Sequence, residues 1–215
     1  MDIQTAGQEL IALSKRLLAQ GIAHDWDGCL SARVQNLLVI TPEDIPLSRL
    51  TPEDLSLVEL NTATHTRGPR PDRRFALHLA VYGKRKKFNA LIHAQSLSVV
   101  TASKKGLTVP PLLDDMAQLV GVSAKVARHW PHRGPGPVIS AMNGRNAVLL
   151  RNKGGLCGAG TFEDAHAVAQ VLEKGCKAFI ESTFLGGGVR INRVEAALMR
   201  LVYRLAYSGQ HLKNR

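Results

Sequence analysis

Gly28-Cys29-Leu30-Ser31-Ala32-Arg33-Val34-Gln35-Asn36-Leu37-Leu38-Val39-Ile40-Thr41 is the stretch that decides the fold. Residues 30–34 and 37–41 read as short strands, and the polar pair Gln35-Asn36 between them reads as a hairpin turn. A polar loop, His24 to Cys29, leads into this hairpin. Before the loop, Leu10, Ile11, Leu13, Leu17 and Leu18 recur at helical spacing. Thr5 with Gln8 resembles a capping box at the start of that helix, and Gly21 stops it. After the hairpin, Pro42 and Pro46 break the chain, residues 56–60 read as a third strand, and a Gly/Pro/Arg-rich loop runs to Arg73.

Further along, the pattern predicts a helix over 75–86, a buried strand over 89–94, and a short helix from Ser96 to Ala102. Pro110-Pro111 restarts the chain, and 114–120 can form one or two helical turns. Residues 130–137, with three prolines and two glycines, read as a loop. Short strands are predicted over 147–150 and the glycine-rich 154–160. Thr161 caps a long helix to Leu185, ended by Gly186-Gly187-Gly188, and a last helix covers 192–207. Strands and helices do not alternate as in a doubly wound nucleotide-binding fold. A mixed, largely antiparallel sheet flanked by helices fits better. No repeat or linker divides the chain, so residues 1–215 are expected to form a single domain.

Hydrophobic residues make up 45%, enough for a sizeable core. No run approaches the ~20 apolar residues that span a bilayer, and the first residues lack a signal-peptide pattern. Three scattered cysteines, Cys29, Cys157 and Cys176, do not make a disulfide framework, so a reducing cytoplasmic setting is expected. The formal charge of +11 favours anionic partners. Its clusters, such as Lys84-Arg85-Lys86-Lys87, read first as solvated helix ends and loops. Aromatics at 5% leave few stacking platforms, so a nucleic-acid scaffold ranks behind other readings.

Several strings, taken in order, resemble the class II aldolase/adducin family. They are Gly28-Cys29-Leu30-Ser31-Ala32-Arg33, Ile40-Thr41-Pro42, Leu50-Thr51-Pro52-Glu53-Asp54-Leu55, Leu77-His78-Leu79-Ala80-Val81-Tyr82 and Ile92-His93-Ala94-Gln95-Ser96. Leu112-Leu113-Asp114-Asp115-Met116 and Leu149-Leu150-Arg151-Asn152-Lys153-Gly154 follow at the expected spacing. The resemblance covers about residues 5–185 and implies a three-layer α/β/α sandwich around a largely antiparallel sheet. It also implies a homotetramer with sites at subunit interfaces, and metal-dependent chemistry on sugar phosphates. The last helix adds to the case for self-association, since Ala196, Ala197, Leu198, Leu201, Val202 and Leu205 give it an apolar surface.

In that family two histidines of a His-x-His string and one of Asn-His-Gly hold zinc, leaving an open position for substrate. Here only His93 matches; the other positions carry Gln95 and Lys153. A neutral amide oxygen and an ammonium cannot replace imidazoles, so no stoichiometric zinc and no other cofactor is expected. His93 by itself reads as a hydrogen-bonded strand histidine. The position of the family's catalytic glutamate is Arg74, which stays charged and cannot serve as an ordinary general base. In the phosphate cradle, the family's asparagine is Cys29 and its Ser-Gly is Glu43-Asp44; Gly28, Ser31 and Thr41 remain. No histidine partner for Cys29 as a nucleophile is evident from the pattern.

The resemblance brings Arg74 and Lys153 to one cavity. The favoured expectation is an open cationic pocket that binds an anion; the alternative is that Asp72, Glu43 or Asp44 folds in and neutralises the pair. The sequence reading is thus a pseudoenzyme of this fold, binding a small anion or sugar phosphate through Gly28, Ser31, Thr41, Arg74, His93 and Lys153. Two alternatives stand beside it. One is a divergent metal-independent lyase, with Lys153 forming a Schiff base to a sugar acid or sugar phosphate. The other is the basic nucleic-acid scaffold.

Overall fold

The computed structural model describes residues 1–128 and 132–208. In chain order the elements are α1 (Ile3–Ala19), β1 (Leu30–Val34), β2 (Leu37–Ile40), β3 (Ser56–Glu59), β4 (His65–Arg67), α2 (Phe75–Lys84) and β5 (Ala90–Ala94). Then come α3 (Leu97–Lys105), β6 (Val126–Ala127), α4 (Gly136–Ala141), β7 (Ala147–Leu150), β8 (Gly155–Ala159), α5 (Phe162–Phe184) and α6 (Arg193–Ser208). Met116–Val120 forms one wide helical turn after α3.

The strands make one sheet in the order β4-β3-β2-β1-β5-β8-β7-β6. Every pairing is antiparallel except β6 with β7. The Gln35-Asn36 hairpin forms with Val34 opposite Leu37, and Gln35 takes a φ of 52° in the turn. Because successive strand residues face opposite sides, the strands inside the exposed edge strand β4 feed two cores. Leu30, Ala32, Val39, Ile92, Ala94 and Leu149 pack with Leu17 of α1, Val99 of α3 and Leu172 of α5. Cys29, Leu38, Ile40, Leu91, Val148 and Leu156 face the other way, against Leu77, Val81 and Tyr82 of α2 and Val138 of α4. The result is a three-layer α/β/α sandwich.

Local departures from the sequence reading have physical causes. The cap of α1 is Asp2, whose carboxylate accepts from the Thr5 amide at 2.8 Å, so Thr5 lies inside the helix rather than capping it. Thr161 does cap α5, its Oγ1 accepting from the Asp164 amide at 3.1 Å. Strand β4 falls in the predicted loop before Arg73; it is an exposed edge strand with no buried face to leave a pattern. Helix α4 starts inside the predicted 130–137 loop, with Pro137 accommodated in its first turn; Trp130 and Pro131 lie outside the described residues. Helix α6 is tethered by Arg200, which donates to Gln118 O at 3.1 Å and to Asn146 Oδ1 at 3.0 Å. Its Val194, Leu198, Leu201, Val202 and Leu205 are exposed, while Ala196 is buried. Among the described residues no helix is long and apolar enough to cross a membrane.

Candidate functional site

Register assembles the site. Leu30 pairs with Ile92, and the His93 amide donates to Cys29 O at 2.9 Å, so Cys29 and His93 are cross-strand neighbours. Both side chains point to the α2 face, as do Ser31 and Leu91. Helix α2 lies over them with His78, Val81 and Tyr82 inward, the one-turn spacing of a buried helix stripe. Thus His78 Nε2 meets His93 Nε2 at 3.0 Å and Cys29 Sγ at 3.6 Å. The two rings stack, 5.1 Å between centroids and 10° from parallel. All three residues are buried.

On its other side, His78 Nδ1 lies 2.6 Å from Ser31 Oγ, which lies 3.0 Å from the Tyr82 hydroxyl. The Tyr82 hydroxyl can donate to Ser31 O at 3.0 Å. Thr41 Oγ1 accepts from the Leu30 amide at 3.2 Å, and Thr41 O from the Asp72 amide at 3.2 Å, pinning the end of β2 beside the site. Ser31 and Thr41 are therefore buried and engaged internally. Gly28 passes so close to Leu47 that a β-carbon there would come within 2.1 Å of its Cδ1.

Arg74 precedes α2 and donates to Asp72 through Nε at 2.8 Å and Nη2 at 2.6 Å, and to Asp27 O through Nη1 at 2.7 Å. Asp72 therefore neutralises Arg74, which was the alternative to an open cationic pair. Glu43, another carboxylate considered for that role, is engaged by other arginines. It pairs with Arg73 at 2.5 Å and Arg70 at 3.3 Å, and its side chain is only 14% exposed. Lys153 sits exposed in the β7–β8 turn, its amide donating to Leu150 O at 2.9 Å. Beside it Gly154, at φ 81°, passes the end of β5; a β-carbon there would lie 2.3 Å from Ala94 O and 3.3 Å from Gln95 Cγ. The fold thus brings the Lys153 turn up to Gln95, while Arg74 is held on Asp72.

The electrostatics keep the buried cluster neutral. Burial presses His78 down to about 3, opposed by Asp72 and aided by Arg74. His93 is lowered well below its ordinary value by burial, with Arg74 and His78 pushing the same way. Burial raises the Cys29 thiol strongly, against the pull of Arg74. The pair Cys29–His78 is therefore the reverse of an activated nucleophile, which needs a thiolate beside an imidazolium. The sequence reading treated His78 only as a landmark and found no histidine partner for Cys29. The missing signal was the strand register, which lets residues far apart in sequence meet.

A three-layer sandwich with a β1–β5 polar cluster under α2 defines the broad class of the molecule. The class II aldolase and adducin N-terminal domain pattern matches residues 8–180, and the chain belongs to that family. A 5-deoxy-D-ribulose 1-phosphate aldolase of Bacillus thuringiensis serovar kurstaki is 26% identical over 194 residues, 86% of this chain and 89% of that one. An L-fuculose phosphate aldolase of Escherichia coli is 24% identical over 176 residues, 80% of this chain and 81% of its own. A solved L-fuculose 1-phosphate aldolase superposes with a TM-score of 0.87 at 26% identity, covering 93% of this chain and 96% of its own.

Proposed function

We propose that this chain is a sugar-phosphate-binding member of the family in which zinc-dependent aldol chemistry has been lost. The observation that carries the reading is the setting of His93. Its Nε2 is directed at His78 inside the α2 face, while the residues at the matching family ligand positions are Gln95 and Lys153. Gln95 Oε1 is buried with no hydrogen-bond partner among the described residues. It is a weak neutral donor; Lys153 is an exposed ammonium. This set does not fit a zinc ion held by three imidazoles. Arg74, bound to Asp72, also offers no general base.

Anion binding draws support from the charge of +11 and from the relatives, whose names specify phosphorylated sugars. The Lys153 turn, against Gln95, is the group we assign to the ligand phosphate. The exposed apolar residues of α6 support self-association of this chain, as a homotetramer, with the ligand at subunit interfaces.

The test is calorimetry and turnover with 5-deoxyribulose 1-phosphate and L-fuculose 1-phosphate, with zinc added. Binding without carbon–carbon cleavage is expected; cleavage by the native chain would refute the reading. Converting Gln95→His and Lys153→His should raise zinc affinity, and adding Arg74→Glu should restore a candidate base.

A further inference from the structure

We infer that Cys29, His78 and His93 form a buried three-donor site for a thiophilic metal ion, zinc(II) or copper(I). The site shares His93 with the family-type positions but takes its other donors from β1 and α2. It is independent of the sugar-phosphate reading, and the two are tested by different readouts.

The geometry comes first. Sγ of Cys29 and Nε2 of both histidines all lie within 4.8 Å of one another, with individual separations of 3.6 Å and 3.0 Å to His78 Nε2. Donors bonded to one such ion at about 2.0–2.3 Å sit roughly 3.3–3.7 Å apart. The triad is therefore within a few tenths of an ångström of coordination distance along its measured edges. No other group of three His, Cys, Asp or Glu donors converges this way among the described residues.

The outer partners also suit a metal-bound histidine. With the His78 Nδ1 proton donated to Ser31 Oγ, Ser31 donates on to Tyr82, and Tyr82 donates back to Ser31 O. Every polar atom of that chain is then satisfied, and the His78 Nε2 lone pair faces Cys29 and His93. A ligating histidine ordinarily has its second nitrogen fixed by such a partner.

The chemistry follows from the donor set. Two neutral imidazoles and one sulfur select soft or borderline ions rather than magnesium or calcium. On binding, the Cys29 S–H bond breaks, its proton leaves to solvent, and the sulfur electron pair bonds the ion. The remaining His93 proton resides on Nδ1. Thiolate with copper(I) is neutral overall. Thiolate with zinc(II) leaves one positive charge, next to the Arg74–Asp72 ion pair, whose own charges cancel.

The experiment uses the full chain, stripped with a chelator and titrated under anaerobic conditions with zinc(II), copper(I), or cobalt(II) as a spectroscopic reporter. One equivalent per chain is expected for zinc(II) or copper(I), and cobalt(II) should show a thiolate charge-transfer band. Cys29→Ser, nearly isosteric, should weaken binding by more than about 100-fold and abolish that band. Gln95→Ala and Lys153→Ala should leave both unchanged. Circular dichroism checks that Cys29→Ser folds; if it does not, the band in the native chain decides. Failure of both ions to bind, or a Cys29→Ser chain that binds undiminished, would overturn the site. Binding lost in Gln95→Ala but kept in Cys29→Ser would instead restore the family-type site and refute the proposed loss of it.

Discussion

The two faces of one sheet make different use of the same strands. On β1 and β5, Leu30, Ala32, Ile92 and Ala94 turn to α1, α3 and α5, where they join a hydrophobic cluster with Leu17, Val99 and Leu172. One residue out of step, Cys29, Ser31 and His93 turn to α2, where His78 and Tyr82 wait. Burial is complete on both sides. The apolar face stabilises by area and shape and tolerates imperfect direction. The polar face has to satisfy each donor and acceptor, because an orphaned buried group costs about 1–3 kcal/mol. The first face therefore holds the register that brings the second together.

Substitutions on each face sharpen that contrast. The largest effect is expected on the apolar side: Leu17→Ala, at a fully buried position, should cost about 4 kcal/mol in urea unfolding. A loss below about 1 kcal/mol would mean that α1 is not packed on the sheet. Next comes the edge of the polar side. Arg74→Met leaves the nearly buried Asp72 carboxylate unpaired and should cost about 3 kcal/mol. Adding Asp72→Asn should recover most of this in a double-mutant cycle; strict additivity would show that the pair is not coupled.

Within the polar cluster, Tyr82→Phe removes the hydroxyl shared with Ser31 and should cost about 1–2 kcal/mol. Full native stability in the variant would show that the network is not needed. On α6, Leu201→Glu adds a charge to an exposed apolar surface. It should leave unfolding of the chain unchanged and lower the mass seen by light scattering; a native chain already monomeric at micromolar concentration would remove the case for self-association. The smallest effect belongs to Lys153→Met. Its side chain is exposed, so stability should move by less than about 0.5 kcal/mol. Phosphate-ester binding should weaken all the same.

The same contrast explains what the sequence disclosed. The hairpin of 30–41 was legible because alternation and a polar two-residue turn are local signals. Helix α5 was legible from its cap and its length. Strand β4 was not, since His65–Arg67 is exposed throughout and carries no buried face. Of the site, His93 was singled out by the resemblance of residues 92–96 to the family's His-x-His string, since its place in a buried strand alone reads as a hydrogen-bonded strand histidine. The meeting of His93 with Cys29 and His78 was not, since it depends on which residues oppose one another across β1 and β5 and on how α2 lies over them. The Arg74–Asp72 pair spans two positions in sequence, yet charge alone left Glu43 and Asp44 as equal candidates. Backbone geometry made the choice: Asp72 Oδ1 also accepts from the Arg74 amide at 2.8 Å.

The central claim is that this family fold holds a phosphorylated ligand without zinc-dependent aldol cleavage. The most direct measurement follows a ketose 1-phosphate by calorimetry and by aldehyde release, with the native chain and excess zinc. The account predicts saturable binding, weakened by Lys153→Met, with no aldehyde released. Zinc-dependent aldehyde release that disappears in His93→Ala and Gln95→Ala would contradict it.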